Sequence, residues 1–201
     1  MSALALFERD ILLWIHAHLR FAAVTPVMRL LSLLGDKGLF WIALTVILLL
    51  FRRTRRLGIY CAVSIVLTFL VVNCAVKPLV ARTRPYDLFQ EIQILAHAEH
   101  DVSFPSGHSA NSFAVAWILF RMTDKKYGVP AVVLAALIAF SRLYVGVHYP
   151  TDVLAGTAIA IALAEVTLLL GSRIEKEIKR RQRAKRRSAQ RAKKRTAQQT
   201  K

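Results

Sequence analysis

Five apolar runs, at residues 38–51, 57–76, 109–120, 127–140 and 153–171, alternate with short charged loops along this chain. The second and fifth are close to the roughly 20 residues a helix needs to cross about 30 Å of hydrocarbon. The other three are shorter, and singly each would suit a core helix. In alternation with charged loops, the five predict an all-α, polytopic membrane helical bundle of about five spans. The first 36 residues are patterned differently. Phe7, Ile11, Trp14 and Ile15 recur on one helical face, while Glu8, Arg9, Asp10, His16, His18 and Arg20 interrupt any continuous apolar run. Thr25 and Pro26 then read as a cap and first helical residue, with Val27, Leu30, Leu31 and Leu34 on one face and Gly35 as the stop. Two amphipathic helices at the membrane interface are expected here, with one tilted span through residues 11–34 as the alternative. The expected organisation is interfacial helices over 1–36, a membrane domain over 37–172 and a basic tail over 173–201.

Hydropathy and charge sharpen this picture. A mean hydropathy of +0.42 agrees with a membrane protein rather than a soluble core. The net charge of +17 is local: residues 173–201 hold fourteen Lys/Arg against two Glu, which leaves only +5 for the rest. So dense a tail is expected as a helical extension followed by disorder. Its expected partner is anionic lipid on the cytoplasmic leaflet, at about 1 kcal/mol per basic residue near the surface. Nucleic acid is not expected, because no aromatic residues are interleaved for base stacking. Cys61 and Cys74 fall within one apolar run and suggest neither a disulfide framework nor a zinc site. No residue pattern specifies an oligomeric state.

Loop charges orient the chain. Arg52, Arg53, Arg55 and Arg56 follow the first run, Arg121, Lys125 and Lys126 the third, and the tail the fifth. These segments share one side by parity, and the positive-inside rule makes it cytoplasmic. The loops at 77–108 and 141–152 then face outward across the cytoplasmic (inner) membrane.

Those outward loops hold the candidate chemistry. His148 precedes a helix expected to start at Pro150, with Asp152 in its first turn, close enough for the carboxylate to hold one ring nitrogen. The other nitrogen is then a fixed, electron-rich nucleophile or base. Ser106 can cap the third run, Gly107 lets a ligand approach the backbone, and His108 lies just inside. Lys77, Arg84 and Arg142 offer cationic donors, and the planar fork of arginine suits phosphate oxygens. Arg82, by contrast, reads as an anchor snorkelling at a helix end. An anion cradle flanked by a nucleophile and a proton donor is what phosphoryl transfer requires.

Three motifs in order, Lys-x6-Arg-Pro (77–85), Pro-Ser-Gly-His (105–108) and Ser-Arg-x5-His-x3-Asp (141–152), resemble the type 2 phosphatidic acid phosphatase and vanadium haloperoxidase superfamily, in its membrane lipid phosphatase branch. The resemblance covers residues 38–171. It implies that His148 attacks phosphorus and becomes a phosphohistidine, oriented by Asp152. It implies further that His108 protonates the leaving oxygen and then helps activate water. Lys77, Arg84, Ser106, Gly107 and Arg142 would hold the phosphoryl oxygens, with no metal and no cofactor. The expected substrate is a lipid phosphate or diphosphate, with undecaprenyl or another polyprenyl diphosphate favoured. Phosphatidate or phosphatidylglycerophosphate is the alternative, followed by a lipid phosphotransferase or a non-catalytic lipid-binding or translocating protein. His97, Glu99, His100 and Asp101 read mostly as a solvated loop rather than a metal site. Glu165, roughly 20 Å along its helix from Asp152, is expected to make a structural hydrogen bond to a neighbouring span.

Overall fold

Each apolar run folds as a helix, and the charged loops mark the breaks. The computed structural model describes residues 3–199, and the side chains of residues 3–183. Its helices are α1 (Ala3–Leu19), α2 (Thr25–Leu34), α3 (Leu39–Leu50), α4 (Arg55–Phe69), α5 (Lys77–Val80), α6 (Pro85–Leu88), α7 (Gly107–Met122), α8 (Lys125–Tyr144) and α9 (Pro150–Gln199). No strand occurs among the described residues. Met1–Glu165 forms one compact unit, and Val166–Lys201, which carries the remainder of α9, forms a second.

Among the described residues, three stretches are long and apolar enough to cross a membrane: Arg55–Leu88, Lys125–Tyr144 and Pro150–Arg183. Thr25–Leu34 and Asp36–Leu50 together make a fourth if counted as one span, bent by 46°. This pairs α2 with α3, where the sequence pattern set α2 apart as an interfacial helix. The apolar surface faces outward, as lipid demands. Ile59, Val63 and Val66 on α4, with Leu70 just beyond it, make an exposed stripe at helical spacing, and Val129, Val133 and Leu137 make another on α8.

Helix α7 is sixteen residues long and is buried on all sides. Its small residues Ala110, Ser112, Ala114 and Ala116 let α4 and α8 approach closely, the packing that replaces hydrophobic driving force between helices in lipid. Polar pins fix the contacts. Trp41 Nε1 donates to Ser112 Oγ at 2.9 Å, and Ser64 Oγ donates to the Ala114 carbonyl at 2.8 Å. Glu165 accepts from Trp117 Nε1 at 2.7 Å and from Arg121, both on α7. It is therefore held by a neighbouring helix, at the end of α7 far from the loops at 77–108 and 141–152.

The structure departs from the sequence pattern in four places. Helix α8 continues past residue 140, so Ser141 and Arg142 are helical; the Ser141 hydroxyl satisfies the Ile138 carbonyl at 2.7 Å. Only Val145–Tyr149 remain between α8 and α9. Helix α4 passes into a π-helical turn, Leu70–Val76, just before Lys77; such turns rephase the side chains that follow. Thr25 does not cap α2, since its hydroxyl donates backwards to the Phe21 carbonyl at 2.9 Å and pairs with the Tyr144 hydroxyl at 2.7 Å. Finally, α9 runs to Gln199, where the charge density predicted a helix giving way to disorder.

Candidate active site

Pro150 begins α9, and this places Asp152 in its first turn with His148 just before it. Both side chains are buried, and Asp152 Oδ2 lies 3.5 Å from His148 Nδ1. The same oxygen accepts from the Tyr149 amide at 2.9 Å and from the Ser103 hydroxyl, which sits 3.5 Å from His148 Nδ1. With Nδ1 engaged on the carboxylate side, Nε2 is the nitrogen left for chemistry. Burial pulls the His148 imidazole below its ordinary value of 6.5; the hydrogen bond to Asp152 opposes this, and Arg142 and Arg84 add to it. Burial thus favours the neutral ring, whose Nε2 then carries a free lone pair.

The cations converge beside it. Arg84 is buried, with Nη1 donating to the Val147 carbonyl at 2.9 Å and Nε to the Asp101 carbonyl at 2.8 Å. Its Nη2 meets Glu99 Oε2 at 2.5 Å and also Asp101 Oδ1. Arg142, on α8, bonds Glu99 Oε1 and the Ser32 hydroxyl, and its buried Nε has no acceptor. Lys77 pairs with Asp101. Glu99 and Asp101 therefore take up donors of Arg84, Arg142 and Lys77; the loop is solvated at His97, His100 and Asp101, as the sequence pattern suggests, and only Glu99 is half-buried. Burial alone would raise the Asp101 carboxyl, but the hydrogen bonds and charges of Lys77 and Arg84 outweigh it and hold it below the usual carboxylate range.

The Pro-Ser-Gly-His turn closes the site. Ser106 caps α7, its Oγ accepting from the Ser109 amide at 3.4 Å, while its own amide donates to the Asp152 carbonyl at 3.0 Å. The turn that opens α7 and the first turn of α9 are thus joined directly. A Cβ on Gly107 would stand 3.9 Å from Lys77 Nζ, so bare backbone lies beside the cation. His108 follows on the first turn of α7 and, with Glu99, Arg142, Leu30 and Leu33, lines a cavity of about 670 Å³. The eight residues named from sequence therefore meet in one layer, at the ends of α7, α8 and α9 and around α5. Among the described residues, no three His, Cys, Asp or Glu cluster as a metal site would.

Several residues escaped the sequence reading. Arg82 is no snorkelling anchor: Nη1 bonds Asp152 Oδ1 at 2.7 Å and Thr151 Oγ1 at 2.8 Å, Nη2 bonds Glu8 Oε2 at 2.5 Å, and the guanidinium lies 3.8 Å from the centre of the Tyr149 ring. Asp152 turns it inward. Ser103 lies outside every motif. Gly156 and Gly35 give no chemical signal, but a Cβ on Gly156 would fall 2.5 Å from the Ser106 carbonyl oxygen, and one on Gly35 would fall 2.9 Å from His108 Cδ2. Close approach to the site explains Gly156, and adds to the helix stop that Gly35 makes at the end of α2.

Similarity to known proteins agrees with this geometry. The undecaprenyl-diphosphatase of Sulfolobus acidocaldarius is 34% identical over 137 residues, covering 68% of this chain and 66% of that protein. The undecaprenyl-diphosphatase BcrC of Bacillus subtilis is 37% identical over 95 residues, 47% of this chain and 48% of the relative. The chain thus spans from about half to about two thirds of the length of these curated relatives. The crystal structure of a PAP2-type phosphatidylglycerolphosphate phosphatase from Bacillus subtilis superposes with a TM-score of 0.72 at 26% identity, covering 87% of this chain and 89% of that one. The family model of the PAP2 superfamily matches residues 56–175, which include all three motifs, and this membrane-embedded helical chain belongs to that superfamily.

Proposed function

We propose that the protein is an integral membrane lipid phosphatase that removes the terminal phosphate of a polyprenyl diphosphate through a phosphohistidine. The observation that carries this is the buried His148–Asp152 pair beside three cations that already converge on two carboxylates. His148 Nε2 attacks the terminal phosphorus. The P–O bond to the lipid monophosphate breaks as His108 gives its oxygen a proton. Water then attacks the phosphohistidine, His108 takes up the water's proton, and the N–P bond breaks to release inorganic phosphate. Lys77, Arg84 and Arg142, with Ser106 and the Gly107 backbone, balance the charge on the phosphoryl oxygens throughout, the part a divalent cation plays in other phosphoryl transfers.

The polyprenyl diphosphate preference is supported by the two undecaprenyl-diphosphatases among the relatives. Phosphatidylglycerophosphate or phosphatidate is the second reading, favoured by the structural neighbour. The positive-inside rule supports an extracytoplasmic site in the cytoplasmic membrane. Arg52, Arg53, Arg55 and Arg56 join α3 to α4, and Arg121, Lys125 and Lys126 join α7 to α8, at the helix ends opposite His108 and His148. On this reading residues 37–172 are the phosphatase domain, residues 1–36 flank it, and the tail from residue 173 lies on anionic lipid of the cytoplasmic leaflet.

Phosphate release by the purified protein in detergent with EDTA, from undecaprenyl diphosphate, phosphatidate and phosphatidylglycerophosphate, tests the proposal. Chelator-resistant release, highest on the diphosphate and lost in His148→Ala, is expected. A different ranking of the lipids shifts the assignment to the second reading. Release that survives His148→Ala contradicts the mechanism.

A further inference from the structure

Helix α1 sends one acidic side chain into the catalytic layer. Glu8 is only 1% exposed, on a helix whose neighbouring Phe7 is 64% exposed. A buried carboxylate needs hydrogen-bond partners, and this one has three donors. Oε1 accepts from the Thr151 amide at 2.9 Å and the Thr151 hydroxyl at 2.6 Å, and Oε2 accepts from Arg82 Nη2 at 2.5 Å. Arg82 passes the contact on to Asp152 Oδ1 at 2.7 Å, and Asp152 faces His148 with its other oxygen. The chain of groups therefore runs Glu8, Arg82, Asp152, His148, with charges that alternate up to the imidazole.

We infer that Glu8 is a positioning residue for the nucleophile: it neutralises Arg82, so that Asp152 keeps its charge for the imidazolium that develops on His148, and it pins the first turn of α9 through Thr151. This rests on the phosphohistidine reading of the site. Without Glu8, Arg82 alone would draw on the Asp152 carboxylate, and the positive charge near His148 would rise by one. The other polar groups facing His148 are Ser103 from the preceding loop, Arg84 after α5, Arg142 on α8 and His108 on α7, with the Tyr149 ring beside Arg82. None of these accepts a hydrogen bond from Arg82 or replaces the Glu8 carboxylate.

Glu8→Gln keeps the shape and the acceptor for Thr151 but removes the charge. Its kcat is expected to fall about tenfold with KM little changed. The acid limb of the pH profile should move down by about one unit, because added positive charge disfavours protonated His148. In an Arg82→Gln background the same change should cost little, since the residue it acts through is gone. Histidine-labelled protein, titrated by ¹⁵N NMR with the His148 signal identified from His148→Ala, reads the same shift without any substrate. A lowered melting temperature with the His148 titration, pH profile and double-variant additivity unchanged would make Glu8 a structural anchor and overturn the inference. If the native protein releases no phosphate from any lipid, the functional reading fails, yet the NMR titration still decides the role of Glu8.

Discussion

Asp152 Oδ2 stands 3.5 Å from His148 Nδ1, and neither side chain is open to solvent. A carboxylate with no water around it cannot spread its charge. Its whole effect falls on the donors that touch it: the Tyr149 amide, Ser103, Arg82 and the imidazole. That fixes the ring's orientation and favours the positive charge it gains on attack. Asp152→Asn keeps the volume but removes the charge, and kcat should fall roughly 10²–10⁴-fold. A kcat within a factor of three of the native value would show that His148 needs no such partner.

The titration of His148 carries a sign that can be checked. Burial, with Arg142 and Arg84 adding to it and only the Asp152 contacts opposing, sets the imidazole below 6.5. The nucleophile is the neutral form, so activity is lost as pH falls through this lowered value. The acid limb of kcat/KM should therefore have its midpoint below pH 6.5. A midpoint above 6.5 would mean that the carboxylate, not burial, dominates the ring.

On the proposed mechanism Glu99 and Asp101 occupy the grip that a phosphoryl group needs, holding Arg84, Arg142 and Lys77 between them. A bound phosphate must displace them or share their donors. Removing the negative charges in Glu99→Gln/Asp101→Asn should tighten inhibition by orthovanadate several-fold at constant pH and salt. Weaker inhibition would show instead that these carboxylates hold the cradle in shape.

Arg82 separates two roles that arginine plays near a membrane surface. An anchor needs only a long cationic stem, which lysine supplies equally well. The contacts here need a fork, with one arm on Glu8 and the other on Asp152 and Thr151. Arg82→Lys should therefore lower kcat about tenfold or more while leaving membrane insertion intact. Full activity in that variant would return Arg82 to the anchor role.

Gly156 bears on the α7–α9 junction. An added methyl would sit 2.5 Å from the Ser106 carbonyl oxygen, and that atom belongs to backbone that cannot swing aside. Gly156→Ala should destabilise the protein by about 1–3 kcal/mol and lower kcat, whereas a Gly→Ala change at an exposed helical site stabilises by roughly 0.5–1 kcal/mol. Native melting temperature and activity together would mean that the two helices are less tightly joined than the contact implies.

The site was legible where its chemistry is local in sequence. His148 and Asp152 are four residues apart across a helix start, Ser106 to His108 form one turn, and Lys77 and Arg84 flank a single short segment. Spacing alone places such residues together. Arg82, Ser103 and Glu8 could not be found in that way, because their meaning comes from Asp152 and Thr151 many residues distant. The ion pairs of Glu99 and Asp101 were hidden for the same reason: a charged loop signals water, and the loop is solvated at Asp101, until cations are seen beneath it. In the fold, apolar runs located the helices, yet Ser141 and Arg142 proved helical because buried partners, invisible in hydropathy, satisfy them. Span number was less legible still, since α7 is short and sheathed by protein while α2 and α3 join at a bend.

The most direct test of the account is the covalent intermediate. Purified protein is mixed rapidly with undecaprenyl diphosphate carrying ³²P in its terminal phosphate, quenched in alkali and digested. The account predicts a base-stable, acid-labile label on the peptide containing His148, formed within one turnover and absent from His148→Ala. Turnover with no trapped label under these conditions, or a label on any other residue, would contradict it.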